Sequence, residues 1–180
     1  MNKKILTGVI SIILGTLVAV PAYAYFNSIS VSASNIFSTG TLKLKLANGD
    51  STFTDNVAST FGGTVAPGTC LPPATLQIKN TGTVPADHID ITATHSDPDV
   101  ASIMRIKTLT YDNNPVVLSD VNNNGIQDLK DFSILNKSFT DFNAHTLLME
   151  VCMDESATNA VQGKTDSMDL SITLDQGKHL

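Results

Sequence analysis

The sequence predicts an all-β protein, an antiparallel β-sandwich with one or two short helices. Three observations carry that expectation. Apolar and polar residues alternate with period two in segment after segment. Turn residues punctuate these segments at roughly ten-residue intervals. No long stretch carries a helical period. The composition agrees: Thr, Ser, Asn and Asp abound, Trp is absent, and Lys and Arg together number eleven among 180 residues. That is the profile of strands joined by polar turns.

The chain opens with Lys3 and Lys4, an apolar run from Ile5 to Val20, then Pro21 and Ala22-Tyr23-Ala24. A positive end, an apolar middle and an A-x-A site form the plan of a secretory signal peptide. Residues 1–24 are therefore expected to be removed between Ala24 and Tyr25. The membrane enters only through this leader. Removing 24 of the 180 residues leaves 156, enough for one domain with its own core. The leader holds two of the eleven basic residues and none of the seventeen acidic ones, so nine basic residues face seventeen acidic ones, a net charge near −8. An acidic chain of this kind is a poor partner for nucleic acid or an anionic membrane.

Strands are expected in order along the mature chain. Thr41 to Leu46 sets Leu42, Leu44 and Leu46 on one face, with Lys43 and Lys45 on the other. Ala74 to Lys79 repeats the pattern and stops at Asn80-Thr81-Gly82. His88 to Ala93 and Met104 to Tyr111 alternate again; the second breaks at Asp112-Asn113-Asn114-Pro115. His145 to Cys152 is more continuously apolar, as in a strand buried on both faces. Met168 to Asp175 is the cleanest alternation of all. Leu129, Phe132 and Leu135 recur at three-residue spacing, which predicts a helix over Asp128 to Lys137. A single helical turn is expected over Asp99 to Met104. The Gly/Pro-rich stretch from Phe61 to Pro73 reads as one long connection.

The segment from Tyr25 to Phe37 stands apart. Ile29, Val31 and Ala33 alternate with serines 28, 30, 32 and 34, immediately after the expected cleavage site. It is either a strand of its own domain or a strand that completes a neighbour's sheet. Residues 25–37 are set apart on this ground from the sandwich over 38–180.

One motif speaks to metal chemistry. Asp120, Asn122, Asn124, Asp128 and Asp131 occupy positions 1, 3, 5, 9 and 12 of a loop with Gly125 at position 6. The EF-hand loop uses this spacing because one calcium ion needs about six or seven oxygens from a tightly turned segment. The Ile126 carbonyl would supply the seventh position. A structural calcium ion competes with a plain Asn-rich turn in which Asp128 caps a short helix.

Cys70 and Cys152 form a disulfide in an oxidising compartment, or stay as two buried thiols in a reducing one. The four histidines, His88, His95, His145 and His179, are dispersed, show no zinc-ligand spacing, and read as solvated strand residues. No catalytic signature is found: no G-x-S-x-G, no phosphate-binding glycine loop and no C-x-x-C. Asn136-Lys137-Ser138 is a glycosylation sequon.

Ala22-Tyr23-Ala24-Tyr25-Phe26-Asn27, followed by Asn35-Ile36-Phe37-Ser38-Thr39-Gly40-Thr41-Leu42-Lys43-Leu44, resembles the TasA/camelysin family of exported proteins, often processed by a SipW-type signal peptidase. Ala66-Pro67-Gly68 and Leu76 to Thr83 are similar to that family's P-G turn and the strand after it. The resemblance implies a jelly-roll-like sandwich. It also implies a structural, non-enzymatic subunit of an extracellular filament or biofilm matrix fibre, a homopolymer in which one subunit's N-terminal strand enters the next. Ile29, Val31 and Ala33 would then be the donor-strand side chains. Two other readings are a secreted metalloendopeptidase, as some family members are labelled, and a monomeric calcium-stabilised adhesin. The first lacks any zinc-binding helix motif; the second lacks an aromatic platform for sugar.

Overall fold

A computed structural model describes residues 40–49, 52–58 and 60–177. The chain divides into two units, Met1–Thr39 and Gly40–Leu180, and the described residues all belong to the second. The expected leader, the expected Ala24/Tyr25 cleavage site and the expected strand carrying Ile29, Val31 and Ala33 lie outside the described residues.

The second unit is a two-sheet antiparallel β-sandwich. Its elements are β1 (Leu44–Asn48), β2 (Ala74–Asn80), β3 (His88–His95), a one-turn helix α1 (Pro98–Ala101), β4 (Met104–Tyr111), β5 (Asn114–Pro115), β6 (Ser133–Ser138), β7 (Ala144–Met153) and β8 (Met168–Asp175). The larger sheet has the order β1-β2-β7-β4-β5 and the smaller β6-β3-β8. Period-two alternation sends Leu76 and Ile78 of β2, Leu147, Met149 and Val151 of β7, and Ile89 and Ile91 of β3 into one core. Phe139, fully buried, closes that core beside His145.

Most expected strands occur where the alternation places them. The break after Tyr111 is a tight hairpin: Asp112 and Asn113 both take positive φ, 51° and 62°, and β5 pairs back on β4. The expected turn near Asp99 is α1, whose cap is Asp97: its Oδ1 accepts from the amides of Asp99 and Val100, and Pro98 follows it.

Two expectations are corrected. Asp128 to Lys137 is not a helix. Only Leu129–Asp131 forms a 3-10 turn, and the chain then extends as β6 against β3. Burial explains it: Phe132 and Ile134 turn inward with period two, while Leu135 is 58% exposed. The ladder to β3 wins over a three-residue spacing that was partly fortuitous. Strand β7 lies at the centre of the larger sheet, but it is not buried on both faces as expected. Leu148, Glu150 and Cys152 are half-buried between the buried Leu147, Met149 and Val151.

The two segments with the most motif-like sequence are tied together. Buried Asn80 accepts from the amides of Gly82 and Lys43 through Oδ1 and donates through Nδ2 to the Val84 carbonyl. The Thr83 amide donates to the Thr41 carbonyl, and the Thr83 hydroxyl accepts from the Thr41 amide. A turn signal in one strand therefore fixes the entry into another.

Candidate functional site

The loop from Asp120 to Asp131 leaves β5 and delivers the chain to β6. Asn123 (φ 56°) and Gly125 (φ 79°) supply the left-handed bends that close it. Asp120, at the first position, accepts from the amides of Asn124 at 3.1 Å and Gly125 at 2.8 Å. Asn122 Oδ1 accepts from the Asn124 amide, and Asn124 Oδ1 from the Ile126 amide. Each side chain thus wraps the backbone that follows it, the habit of Asn and Asp in turns.

Asp128 and Asp131 differ from Asp120 in burial. Asp120 is exposed, whereas Asp128 is 0% and Asp131 1% exposed. Asp128 Oδ2 accepts from the side-chain amides of Asn122 (2.9 Å) and Asn124 (2.6 Å); its Oδ1 accepts from the Lys130 amide. Asp131 accepts from the Val121 amide and from the Asp128 amide, completing a reciprocal cap around the 3-10 turn. Among the ion pairs of the described residues, none reaches Asp120, Asp128 or Asp131. Two carboxylates are therefore taken from water with neutral donors alone, an expensive arrangement for charge.

The capping role weighed for Asp128 is present, and the oxygens do not yet converge as a metal shell. Among the described residues, the one trio of His, Cys, Asp or Glu ligand atoms within 4.8 Å of one another is Cys70, Glu150 and Cys152. There the sulfurs are spent on each other: Cys70 and Cys152 form the disulfide, across a sequence separation of 82. Cys70 faces Cys152 of β7 as an antiparallel bridge. Glu150 is held by Lys107 Nζ at 2.8 Å, which keeps its carboxyl below the ordinary value.

The histidines are not solvated strand residues as expected. His88 is buried. His95 Nδ1 lies 2.6 Å from Asp166 Oδ2, and its Nε2 lies 2.9 Å from the Leu129 carbonyl. His145 Nδ1 lies 2.6 Å from Asp112 Oδ2, and its Nε2 3.2 Å from Asp141 Oδ1, with its ring stacked on Tyr111. Each ring has an oxygen within hydrogen-bonding distance of both of its nitrogens. They are structural ties: His95 joins β3 to the loop that precedes β8 and to the 3-10 turn, and His145 joins β7 to two loops. His179 lies outside the described residues. Sequence spacing could not reveal these partners, because Asp166 is 71 residues from His95.

One more feature bears on assembly. Strand β8 pairs with β3 on one side and with no other strand among the described residues. Its inward residues Met168, Leu170, Ile172 and Leu174 are only half-buried, while Ile89 and Ile91 of the adjoining strand are 0% exposed. At the Met168 end a cleft of about 220 Å³ opens between the sheets, lined by Phe61, Val65, Met104, Met149, Met153 and Met168 among others. No protein-family model matches the sequence, and no curated protein matches it.

Proposed function

We propose that this chain is a structural subunit of an extracellular filament or matrix fibre, secreted with loss of residues 1–24 and polymerised head to tail. The strand over Tyr25 to Phe37 of one copy would join the sheet of the next. The observation that carries this reading is the β8 edge. Among the described residues its four alternating apolar side chains have a neighbouring strand on one side only, and Ile29, Val31 and Ala33 offer an apolar face of the same period. Main-chain hydrogen bonds along β8 would supply affinity, and the apolar face would supply register. Head-to-tail insertion does not close on itself, so it extends as a fibre. The TasA/camelysin resemblance points the same way. Deleting residues 25–34 is expected to leave a soluble monomer; filaments that persist after the deletion would reject donor-strand assembly.

Calcium in the Asp120–Asp131 loop belongs to the same reading. Support comes from the two buried carboxylates, which have no cationic partner among the described residues, and from a backbone already bent at Asn123 and Gly125. Turning the Asn122 and Asn124 amides about their last torsion would aim oxygens where nitrogens now face Asp128. Asp120, Asn122, Asn124, Asp128, Asp131 and the Ile126 carbonyl would hold the ion, which neutralises the buried charge and stiffens the loop. A ligand at about a hundredfold its dissociation constant stabilises by about 2.7 kcal/mol. Calcium should therefore raise the melting temperature of the native chain and leave an Asp120→Asn/Asp131→Asn variant unmoved. A native chain indifferent to calcium would remove the ion from the account.

A further inference from the structure

We propose that Asn136 is an N-glycan acceptor, and that its sugar closes the β6 edge of the smaller sheet to strand addition. The inference rests on the chain being exported, as above, and goes beyond it in naming a modification and a site.

Asn136-Lys137-Ser138 is the chain's only N-x-S/T triplet. Asn136 and Ser138 are exposed, on a strand whose outer edge has no partner strand among the described residues. The backbone singles out Asn136. Between the pairs Ile89↔Lys137 and Ile91↔Ile134, the single residue Asp90 faces both Leu135 and Asn136, which is a β-bulge. Asn136 takes φ 53° in that bulge, and its amide donates to Asp90 Oδ1 at 2.7 Å. Bulges re-aim side chains and break the regular edge, so this asparagine is offered at a kink rather than in an unbroken ladder. Next to it Leu135 is 58% exposed, an apolar side chain on the outside that a sugar would shield.

The group transferred is an oligosaccharide activated on a lipid-linked phosphate. Asn136 Nδ2 forms a bond to the anomeric carbon, the bond from that carbon to the phosphate oxygen breaks, the lipid phosphate leaves with the electron pair, and the amide gives up one proton. The consequence is an asymmetry between the two edges of the smaller sheet. An exposed edge is a template for stray pairing. A glycan at the β6 bulge would block one edge and leave β8 as the edge open to a partner.

The test is intact mass and glycopeptide mapping of the full chain recovered from outside its own cells, with Asn136→Gln, Ser138→Ala and Ser138→Thr variants. An oligosaccharide on Asn136 is expected, lost in Asn136→Gln and Ser138→Ala and kept in Ser138→Thr. Ser138→Ala leaves the Asn136 backbone alone, so it separates loss of sugar from loss of fold. Exported chain with Asn136 unmodified overturns the glycan and leaves the filament reading standing; chain retained in cells with its leader attached overturns both. Ser138→Ala filaments should also associate side by side where the native ones stay single, and identical behaviour would overturn the edge-closing role.

Discussion

A Cβ placed on Gly82 would lie 2.0 Å from the carbonyl oxygen of Thr41 and 2.8 Å from the amide nitrogen of Lys43. The contact is backbone against side chain, so nothing flexible can yield. The Asn80-Thr81-Gly82 turn and the entry to β1 are pressed together, and glycine at position 82 is a matter of space.

Gly82→Ala should therefore be costly. A loss of about 2–3 kcal/mol is expected in denaturant unfolding, as for other overpacked sites. Gly125→Ala offers the contrast, since nothing lies within 4 Å of its Cβ and only its φ of 79° opposes the change; about 1 kcal/mol is expected there. Equal losses would contradict the steric account.

Tyr111 is buried at 3% exposure, and its hydroxyl has no hydrogen-bond partner among the described residues. Burial first, then the carboxylates of Asp112 and Asp141, pushes the phenol's ionisation well above its ordinary value. The stacked ring is what the core uses. Tyr111→Phe should leave thermal stability unchanged or raise it by up to about 1 kcal/mol. A clear loss would show that the hydroxyl is satisfied after all.

Asp166 sets an acid limit. Its burial alone would raise the carboxyl's pKa, but the Asp97 amide, His95 and the Ser96 hydroxyl together hold it below the ordinary value. A group depressed in the folded state stabilises above the unfolded-state value, near pH 4, and that contribution fades as pH falls through the folded-state value. Melting temperature should therefore drop as pH falls below about 4 more steeply for the native chain than for Asp166→Asn. Parallel curves would mean that the His95–Asp166 tie is energetically idle.

The Cys70–Cys152 bond closes a long loop between the β1–β2 connection and β7. Loop-closure entropy assigns it about 4 kcal/mol. The double variant Cys70→Ser/Cys152→Ser is expected to lose an amount of that order in denaturant unfolding, with unchanged stability as the contrary result.

How much the sequence disclosed follows from the range of each interaction. Period-two patterns are local, so β2, β3, β4, β7 and β8 were legible within a residue or two. The cysteine pair was legible as one of two alternatives, since compartment rather than pattern decides it. Strand β6 was misread because Leu129, Phe132 and Leu135 mimic one face of a helix, and only pairing with β3 distinguishes the two. The loop at Asp120 was visible as a motif, but the burial of Asp128 and Asp131 comes from packing against the sandwich. The His95–Asp166 and His145–Asp112 ties were invisible because they join residues 71 and 33 positions apart.

The most direct test of the central claim is electron microscopy of the mature chain at rising concentration, beside the same chain lacking residues 25–34. Filaments are expected from the first, with density for a strand from one copy lying along β8 of the next, and monomers only from the second. Filaments from both, or density showing residues 25–37 within their own subunit, would contradict it.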